Sequence, residues 1–210
     1  MGVLGADLTL KRLVLGQMAV NCYIIASKKT KKAFIIDPGD DFLDIKKYLD
    51  DNKLEAEFII QTHGHIDHIA ALKEFDLPIY IHELDKDYLT DGARNLSGFM
   101  GEPFELKGKE VKILKDNQVL EFGGNILKIL HTPGHTPGGI SIILDNAAFT
   151  GDTLFASGIG RTDFPGSSTD ALIKAIKEKL FTLDDGVVIY PGHGEPSTIG
   201  REKKENPFFE

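Results

Sequence analysis

The 210-residue sequence predicts an α/β fold, because short apolar runs typical of strands alternate with segments of helical periodicity. Hydrophobic residues make up 41% of the chain and charged residues 27%, which is ordinary for a globular protein. The length suffices for one well-buried domain and is short for two. We therefore expect a single domain over residues 1–210, made of two similar halves.

The first half is predicted to contain five strands and at least one helix. Apolar runs predict strands at 10–15, 22–26, 33–36, 58–60 and 79–81. Phe42, Ile45 and Leu49 recur at helical spacing and predict a helix over 42–50. The polar segment 83–95 is expected to be helical as well.

The second half is predicted to begin near Lys109. Its strands are expected at 126–130, 140–144, 147–150 and 187–190. A helix over 168–180 places four apolar residues on one face. Ser197 is expected to cap a final helix that Pro207 ends, because a hydroxyl can accept from a free backbone N–H and proline cannot continue a helix.

Five of the seven histidines, together with two aspartates, form a pattern typical of metal ligands. Three histidines and one aspartate stand in a single short run, and the others follow at intervals: His63, His65, Asp67, His68, His135, Asp152 and His193. Imidazole and carboxylate together bind zinc, iron or manganese. Seven such ligands are too many for one tetrahedral ion and suit two adjacent ions that share a carboxylate.

The short run lies where a strand is expected to turn into a helix. It follows the apolar strand 58–60 and precedes the helix-forming segment 69–75. Gly64 allows a tight turn, and His63 and His65 can point the same way because they are two residues apart in extended backbone. The carboxyl end of a strand is also where layered α/β folds bind ligands.

These motifs resemble the metallo-β-lactamase fold family, and the resemblance extends from Asn21 to about Pro207. It implies a four-layer αββα sandwich with two divalent transition-metal ions at one edge between the sheets. By this resemblance His63, His65 and His135 hold the first ion, whereas Asp67, His68 and His193 hold the second. Asp152 would bridge the two ions. Zinc is the expected metal, and iron and manganese suit the same ligands.

The loop 154–165 resembles that of the glyoxalase II subgroup, the hydroxyacylglutathione hydrolases. There a basic residue contacts glutathione, and Arg161 occupies that position, although an ion pair with Asp163 explains the same residue. Thr162 and Asp163 replace the aromatic pair of the classical loop. No C-terminal glutathione-binding helical domain is expected after Pro207. The short bacterial glyoxalase II-like proteins are therefore the better match.

The resemblance predicts a metal-dependent hydrolase that cleaves a thioester, S-lactoylglutathione or a related acyl thiol, by attack of a metal-bound hydroxide. Asp67 would hold the second metal and orient this hydroxide as the catalytic carboxylate. A mononuclear iron persulfide dioxygenase is the alternative, since it shares the Gly-Arg-Thr-Asp-Phe loop; a lactone or ester hydrolase is a third option. The segment 191–194 reads Pro-Gly-His-Gly, which resembles the glyoxalase II proteins. Persulfide dioxygenases tend to have Pro-Ala-His-Asp at this place.

Several other residues carry weaker expectations. Asp37 is either a turn residue or a partner that orients the metal turn. Phe99 and Met100 form either an apolar wall of the substrate pocket or an ordinary loop. The single cysteine, Cys22, is expected in the core. His82 and His131 are expected to be ordinary hydrogen-bonding residues.

Net charge and hydropathy limit the partners. The net charge of −8, from 32 acidic and 24 basic residues, argues against nucleic-acid binding. No apolar run has transmembrane length and no signal peptide opens the chain, so a cytoplasmic protein without a membrane partner is expected. A small-molecule thioester is the expected partner. The sequence leaves the oligomeric state open.

Overall fold

The computed structural model of the protein describes residues 3–209. The N-terminal part of the chain forms the first of two six-stranded sheets. Its strands lie side by side in chain order: β1 (Leu8–Leu15), β2 (Val20–Ser27), β3 (Lys32–Ile36), β4 (Glu55–Ile60), β5 (Ile79–His82) and β6 (Val111–Leu114). The first three strands pair antiparallel and the last four parallel. Parallel neighbours need crossovers, so the chain turns away from the sheet after β3, β4 and β5.

Helical segments form these crossovers. Helix α1 (Phe42–Asp51) joins β3 to β4, and α2 (Ile66–Ile69) continues as a 3₁₀ helix, Ala70–Glu74, between β4 and β5. A second 3₁₀ helix, Glu83–Leu89, follows β5. The loops at the carboxyl ends of β3, β4 and β5 therefore lie at one edge of the sheet.

The second sheet is formed by the C-terminal part of the chain. Its strands are β7 (Val119–Phe122), β8 (Asn125–His131), β9 (Ile140–Leu144) and β10 (Ala147–Gly151), which pair antiparallel in chain order. A small hairpin of β11 (Leu154–Phe155) and β12 (Gly158–Ile159) follows. Then β13 (Val188–Pro191) pairs parallel to β10, and β14 (Ser197–Thr198) closes the sheet antiparallel to β13.

The two sheets pack face to face over an apolar core, with helices on both outer sides. Side chains alternate along β2, so Tyr23 and Ile25 face the second sheet while Cys22 and Ile24 face α1. On the far side, α3 (Thr169–Ala175) and α4 (Ile199–Glu205) cover the second sheet, where Leu172 packs in one cluster with Ile189. The expected four-layer αββα sandwich is confirmed, and Cys22 is fully buried in the core as expected.

The structure corrects three expectations. The second half does not begin near Lys109, because β6 pairs with β5 and so belongs to the first sheet. Only the first part of segment 83–95 is helical, and Leu89 ends it. Ser197 does not cap the final helix: it lies in β14, and the neighbouring Thr198 accepts from Arg201 N at 3.2 Å.

Within residues 3–209, no helix combines the length and the apolar character needed to cross a bilayer.

Candidate metal centre

Three histidines form the group that we call the histidine group: His63, His65 and His135. His63 and His65 follow β4 directly, and His135 lies in the loop between β8 and β9. His65 Nδ1 and His135 Nε2 are 2.8 Å apart, and all three side chains are buried. One ring nitrogen from each histidine falls within 4.8 Å of the others. Two loops from different sheets thus bring three imidazoles to one point.

A second group, which we call the mixed group, contains Asp67, His68 and His193. Asp67 and His68 belong to the first turn of α2, whereas His193 follows β13. Asp67 Oδ2 lies 3.1 Å from His193 Nε2 and 3.6 Å from His68 Nε2. The mixed group adjoins the histidine group, because His63 and His68 have ring centroids only 4.1 Å apart.

Asp152 lies between the two groups. It follows β10, and its Oδ2 is 3.6 Å from His135 Nε2 in the histidine group. The same carboxylate reaches the mixed group, with Oδ1 3.5 Å from His68 Nε2 and Oδ2 3.8 Å from His193 Nε2. One carboxylate is therefore close to ligand atoms of both groups, as a bridging ligand must be.

The unpaired atoms of the site fit metal ions. Within residues 3–209, the buried side-chain nitrogen and oxygen atoms without a hydrogen-bond partner are His63 Nε2, His68 Nε2 and Asp152 Oδ1. Buried polar atoms are rarely left unpaired, so three at one site need a missing partner. Two ligand atoms of a tetrahedral zinc ion are about 3.3 Å apart, close to the spacings observed here. The site therefore fits divalent transition-metal ions.

Asp37 orients the turn that carries the mixed group. It is buried, and its carboxylate accepts hydrogen bonds from Thr62 N at 2.7 Å and from His68 Nδ1 at 2.9 Å. Donation from Nδ1 leaves the Nε2 lone pair of His68 free to face an ion. Asp37 thus contacts the metal turn through its side chain and is more than a turn residue.

Asp85, which the sequence analysis did not single out, joins the two loops of the histidine group. Its buried carboxylate accepts from Gly64 N at 3.1 Å, Thr136 Oγ1 at 2.7 Å and Gly138 N at 2.6 Å. Burial raises its pKa to about 6 although these donors oppose the shift. The one signal for it in the sequence is its position just after the predicted strand 79–81, at the edge where ligands bind.

Two of the imidazoles and both carboxylates have the charge that cation binding needs. Burial lowers the pKa of His63 well below its ordinary value and that of His65 to about 3, so both imidazoles are neutral with free lone pairs. Burial would raise the pKa of Asp152, but the nearby imidazoles, His68 foremost, lower it instead. The pKa of Asp67 is lowered in the same way by His68 and His193. Both carboxylates are therefore ionised at neutral pH.

Gly192 leaves room for the carboxylate of Asp152. A β-carbon at residue 192 would clash with Asp152 Oδ1 and lie 2.7 Å from His68 Cε1. Any other side chain would therefore displace Asp152 or the mixed group. This close contact explains why the Pro-Gly-His sequence has glycine at residue 192.

Arg161 lies at the margin of the site. Its guanidinium forms a two-point ion pair with Asp163, at 2.7 and 2.6 Å, and stacks 4.2 Å from the ring of Phe164. Its carbonyl oxygen lies 2.8 Å from His135 Nδ1 and accepts the proton that this nitrogen carries. The ion pair with Asp163 is present, and a contact between Arg161 and substrate stays a prediction.

His82 and His131 lie apart from both groups. Their rings stack on each other with centroids 4.1 Å apart, and His131 Nε2 donates to the carbonyl of Pro137 at 2.8 Å. Neither belongs to a cluster of potential ligands within the described residues.

Comparisons with known proteins identify the family and the fold. The family model of the metallo-β-lactamase superfamily matches residues 15–193. Hydroxyacylglutathione hydrolase GloC of Haemophilus influenzae is 37% identical over 204 residues, which cover 90% of this chain and 92% of that protein. The crystal structure of BLEG-1 B3 metallo-beta-lactamase has a TM-score of 0.91 and 33% identity, covering 96% of this chain and 99% of that one. TTHA1623 in a di-iron-bound form has a TM-score of 0.83 and 31% identity, covering 94% and 99%.

Proposed function

The chain belongs to the metallo-β-lactamase superfamily and is a metallohydrolase, and we propose that it binds two metal ions and cleaves a thioester. The observation that carries the proposal is the position of Asp152, whose carboxylate lies within 3.6 Å of the histidine group and 3.5 Å of the mixed group. A single ion would leave one of these groups without a partner. Zinc is the metal that we expect, and iron or manganese suits the same donors.

The side chains divide the work between binding and orientation. Divalent cations held here would supply Lewis acidity and lower the pKa of water toward neutrality. Asp67 belongs to the mixed group and also lines the adjoining cavity, so its carboxylate can accept a hydrogen bond from the attacking water. We assign this orienting role to Asp67. His135 is held in place by the carbonyl of Arg161 and faces the same cavity.

The side chains of the site support a thiol leaving group. Both carboxylates, Asp67 and Asp152, are assigned to metal binding, so neither serves as a proton donor to a departing group. A thiolate departs without that proton, because thiols ionise near pH 8.5 whereas alcohols ionise far higher. The similarity to GloC points in the same direction and makes S-lactoylglutathione the first substrate to test.

The BLEG-1 relative supports a second candidate, hydrolysis of a β-lactam. That structure shares 33% identity and nearly the whole length of this chain. A β-lactam nitrogen needs a proton to leave, or direct stabilisation of its negative charge. A thiolate needs neither, and the thioester is therefore the substrate that we test first.

The test compares three substrates on protein purified without chelator. S-lactoylglutathione is followed by thiol release, a chromogenic cephalosporin by ring opening, and glutathione persulfide under air by oxygen uptake. We expect rapid thiol release, weak cephalosporin turnover and no oxygen uptake. Oxygen consumption with sulfite formation and no thioester cleavage would instead identify a persulfide dioxygenase.

Two aspartate variants, one in the site and one matched control outside it, accompany this assay. Asp152→Ala should abolish thiol release, whereas Asp50→Ala, which removes only an exposed ion pair with Lys46 on α1, should leave it unchanged.

A further inference from the structure

A cavity of about 770 Å³ opens directly beside the two ligand groups. This volume lies in the range of pockets that hold small molecules. Nine of its fifteen lining residues are apolar, and five of the other six are candidate metal ligands. The surfaces available to the rest of a substrate are therefore mainly hydrocarbon.

The first wall of the cavity projects into solvent. It consists of Met18, Ile66, Leu96, Phe99 and Met100. The side chains of Phe99 and Met100 are 80% and 63% exposed. Large apolar side chains clustered at a cavity mouth are typical of a ligand-binding surface.

A buried polar network anchors the segment of this wall that carries Leu96. Asn95 is fully buried and donates to the carbonyls of Tyr88 at 2.7 Å and Phe104 at 3.1 Å. Ser97 Oγ donates to Asn95 Oδ1 at 2.6 Å. Between them Leu96 adopts a φ of +70°, a conformation that costs energy for a residue with a side chain. The network thus holds Leu96 in a strained conformation within the wall of the cavity.

A second wall, formed by the loop that follows Asp152, is apolar as well. It consists of Phe155, Ile159, Phe164 and Pro165, with Arg161 between them. Arg161 is the single lysine or arginine among the described lining residues, and its charge is paired with Asp163. Glutathione carries two carboxylates, for which this lining offers no unpaired lysine or arginine.

We propose that the substrate carries a hydrocarbon chain attached to the scissile thioester, and that this chain binds against the apolar walls of the cavity. The inference rests on the proposed thioester hydrolysis and specifies its substrate class. The hydrocarbon chain can belong to the acyl group or to the thiol, because either would bury apolar surface in the cavity. The polar lactoyl group of S-lactoylglutathione would fill little of the apolar surface.

Chain length is the variable that tests the inference. Burial of one methylene is worth about a fourfold gain in binding, so kcat/KM should rise about threefold to fourfold per added methylene until the cavity is filled. One series varies the acyl group of glutathione thioesters from acetyl to butanoyl and hexanoyl. The other keeps the acetyl group and varies the thiol from ethyl to butyl and hexyl.

A rise in the first series assigns the chain to the acyl side, and a rise in the second assigns it to the thiol side. Phe99→Ser should flatten whichever series rises, whereas Leu43→Ser, a similarly exposed residue on α1 outside this cavity, should not. If neither series rises, or if S-lactoylglutathione exceeds every hydrocarbon thioester, the inference is overturned while thioester hydrolysis stands.

Calorimetry separates failure of the inference from failure of the proposed function. S-hexylglutathione and S-methylglutathione are thioethers that the protein cannot hydrolyse. If no thioester is cleaved, tighter binding of the hexyl compound, lost in Phe99→Ser, still supports the apolar pocket. Equal binding of the two compounds would overturn it.

Discussion

The histidine group and the mixed group lie side by side but differ in composition and in access to solvent. The histidine group holds three buried imidazoles, two of which are neutral because burial lowers their pKa. The mixed group contains a carboxylate, and the side chains of Asp67 and His193 stay 16% and 28% exposed. Both groups contribute two side chains to the lining of the cavity, but those of the mixed group are the more exposed.

Each group also has its own buried aspartate, placed differently. Asp37 bonds directly to the imidazole of His68 in the mixed group and is linked by a hydrogen bond to His63 of the histidine group only through the hydroxyl of Thr62. Asp85 bonds to backbone and hydroxyl groups of the loops around the histidine group and forms no hydrogen bond with its imidazoles. The comparison indicates that one group is supported through a ligand and the other through its loops. The following predictions test that division.

The largest effect should come from the carboxylate that both groups share. Asp152→Ala removes one proposed ligand from each ion, so both groups should lose metal. We expect kcat/KM to fall by more than about 100-fold. Metal content by mass spectrometry and thiol release are the two measurements. Retention of two equivalents of metal would show that Asp152 does not bridge.

Gly192→Ala should affect the mixed group and spare the histidine group. The added β-carbon would push against Asp152 Oδ1 and His68, so we expect bound metal to fall from two equivalents toward one. The control is Gly186→Ala, because a β-carbon there meets no atom within 4 Å. Two equivalents of metal in both variants would mean that the site relaxes around the methyl group.

Asp37→Asn should weaken metal binding at the mixed group about 10-fold to 100-fold, the usual cost of losing a partner that orients a ligand. Thr62 N bonds to Oδ1 and His68 Nδ1 to Oδ2, so the amide, which keeps one oxygen, cannot accept from both of these nitrogens in the present arrangement. Titration with a competing chelator measures the two affinities separately. An equal loss at both groups would contradict the division.

Asp85→Asn should mainly reduce stability. The substitution replaces one accepting oxygen by an NH₂ group, which would then face groups that are themselves donors. A buried donor without an acceptor lowers the free energy of unfolding by about 1–3 kcal/mol. We expect a lower melting temperature in the metal-free protein and a smaller change in the chelator titration than Asp37→Asn gives. If its melting temperature matches the parent protein, Asp85 does not hold the loops.

The sequence was sufficient to predict which residues the structure brings together as candidate ligands, because their signal is local. Four of the seven stand within six residues, and the remaining three follow glycine-rich turns after apolar strands. Asp85 was missed because its partners are 21 to 53 residues away, so nothing beside it in the chain marks its role. A contact between distant loops depends on the tertiary structure alone.

The secondary structure could likewise be predicted only where its signal is local in the sequence. The buried strands were found because their apolar runs are continuous, as at Ile140–Leu144. Strands β6 and β7 were missed because they are short and partly exposed. Ser197 and Thr198 are adjacent hydroxyl residues, and pairing of Ser197 with Ile189 decides that Thr198 caps the helix.

The central claim is that two ions occupy this site, one in each group. The most direct test is a crystal structure of metal-loaded protein with diffraction recorded on both sides of the metal absorption edge. We predict two anomalous peaks, one contacted by His63, His65 and His135 and the other by Asp67, His68 and His193, with Asp152 touching both. A single peak in metal-saturated crystals, with the mixed group hydrogen-bonded only to itself, would contradict the account.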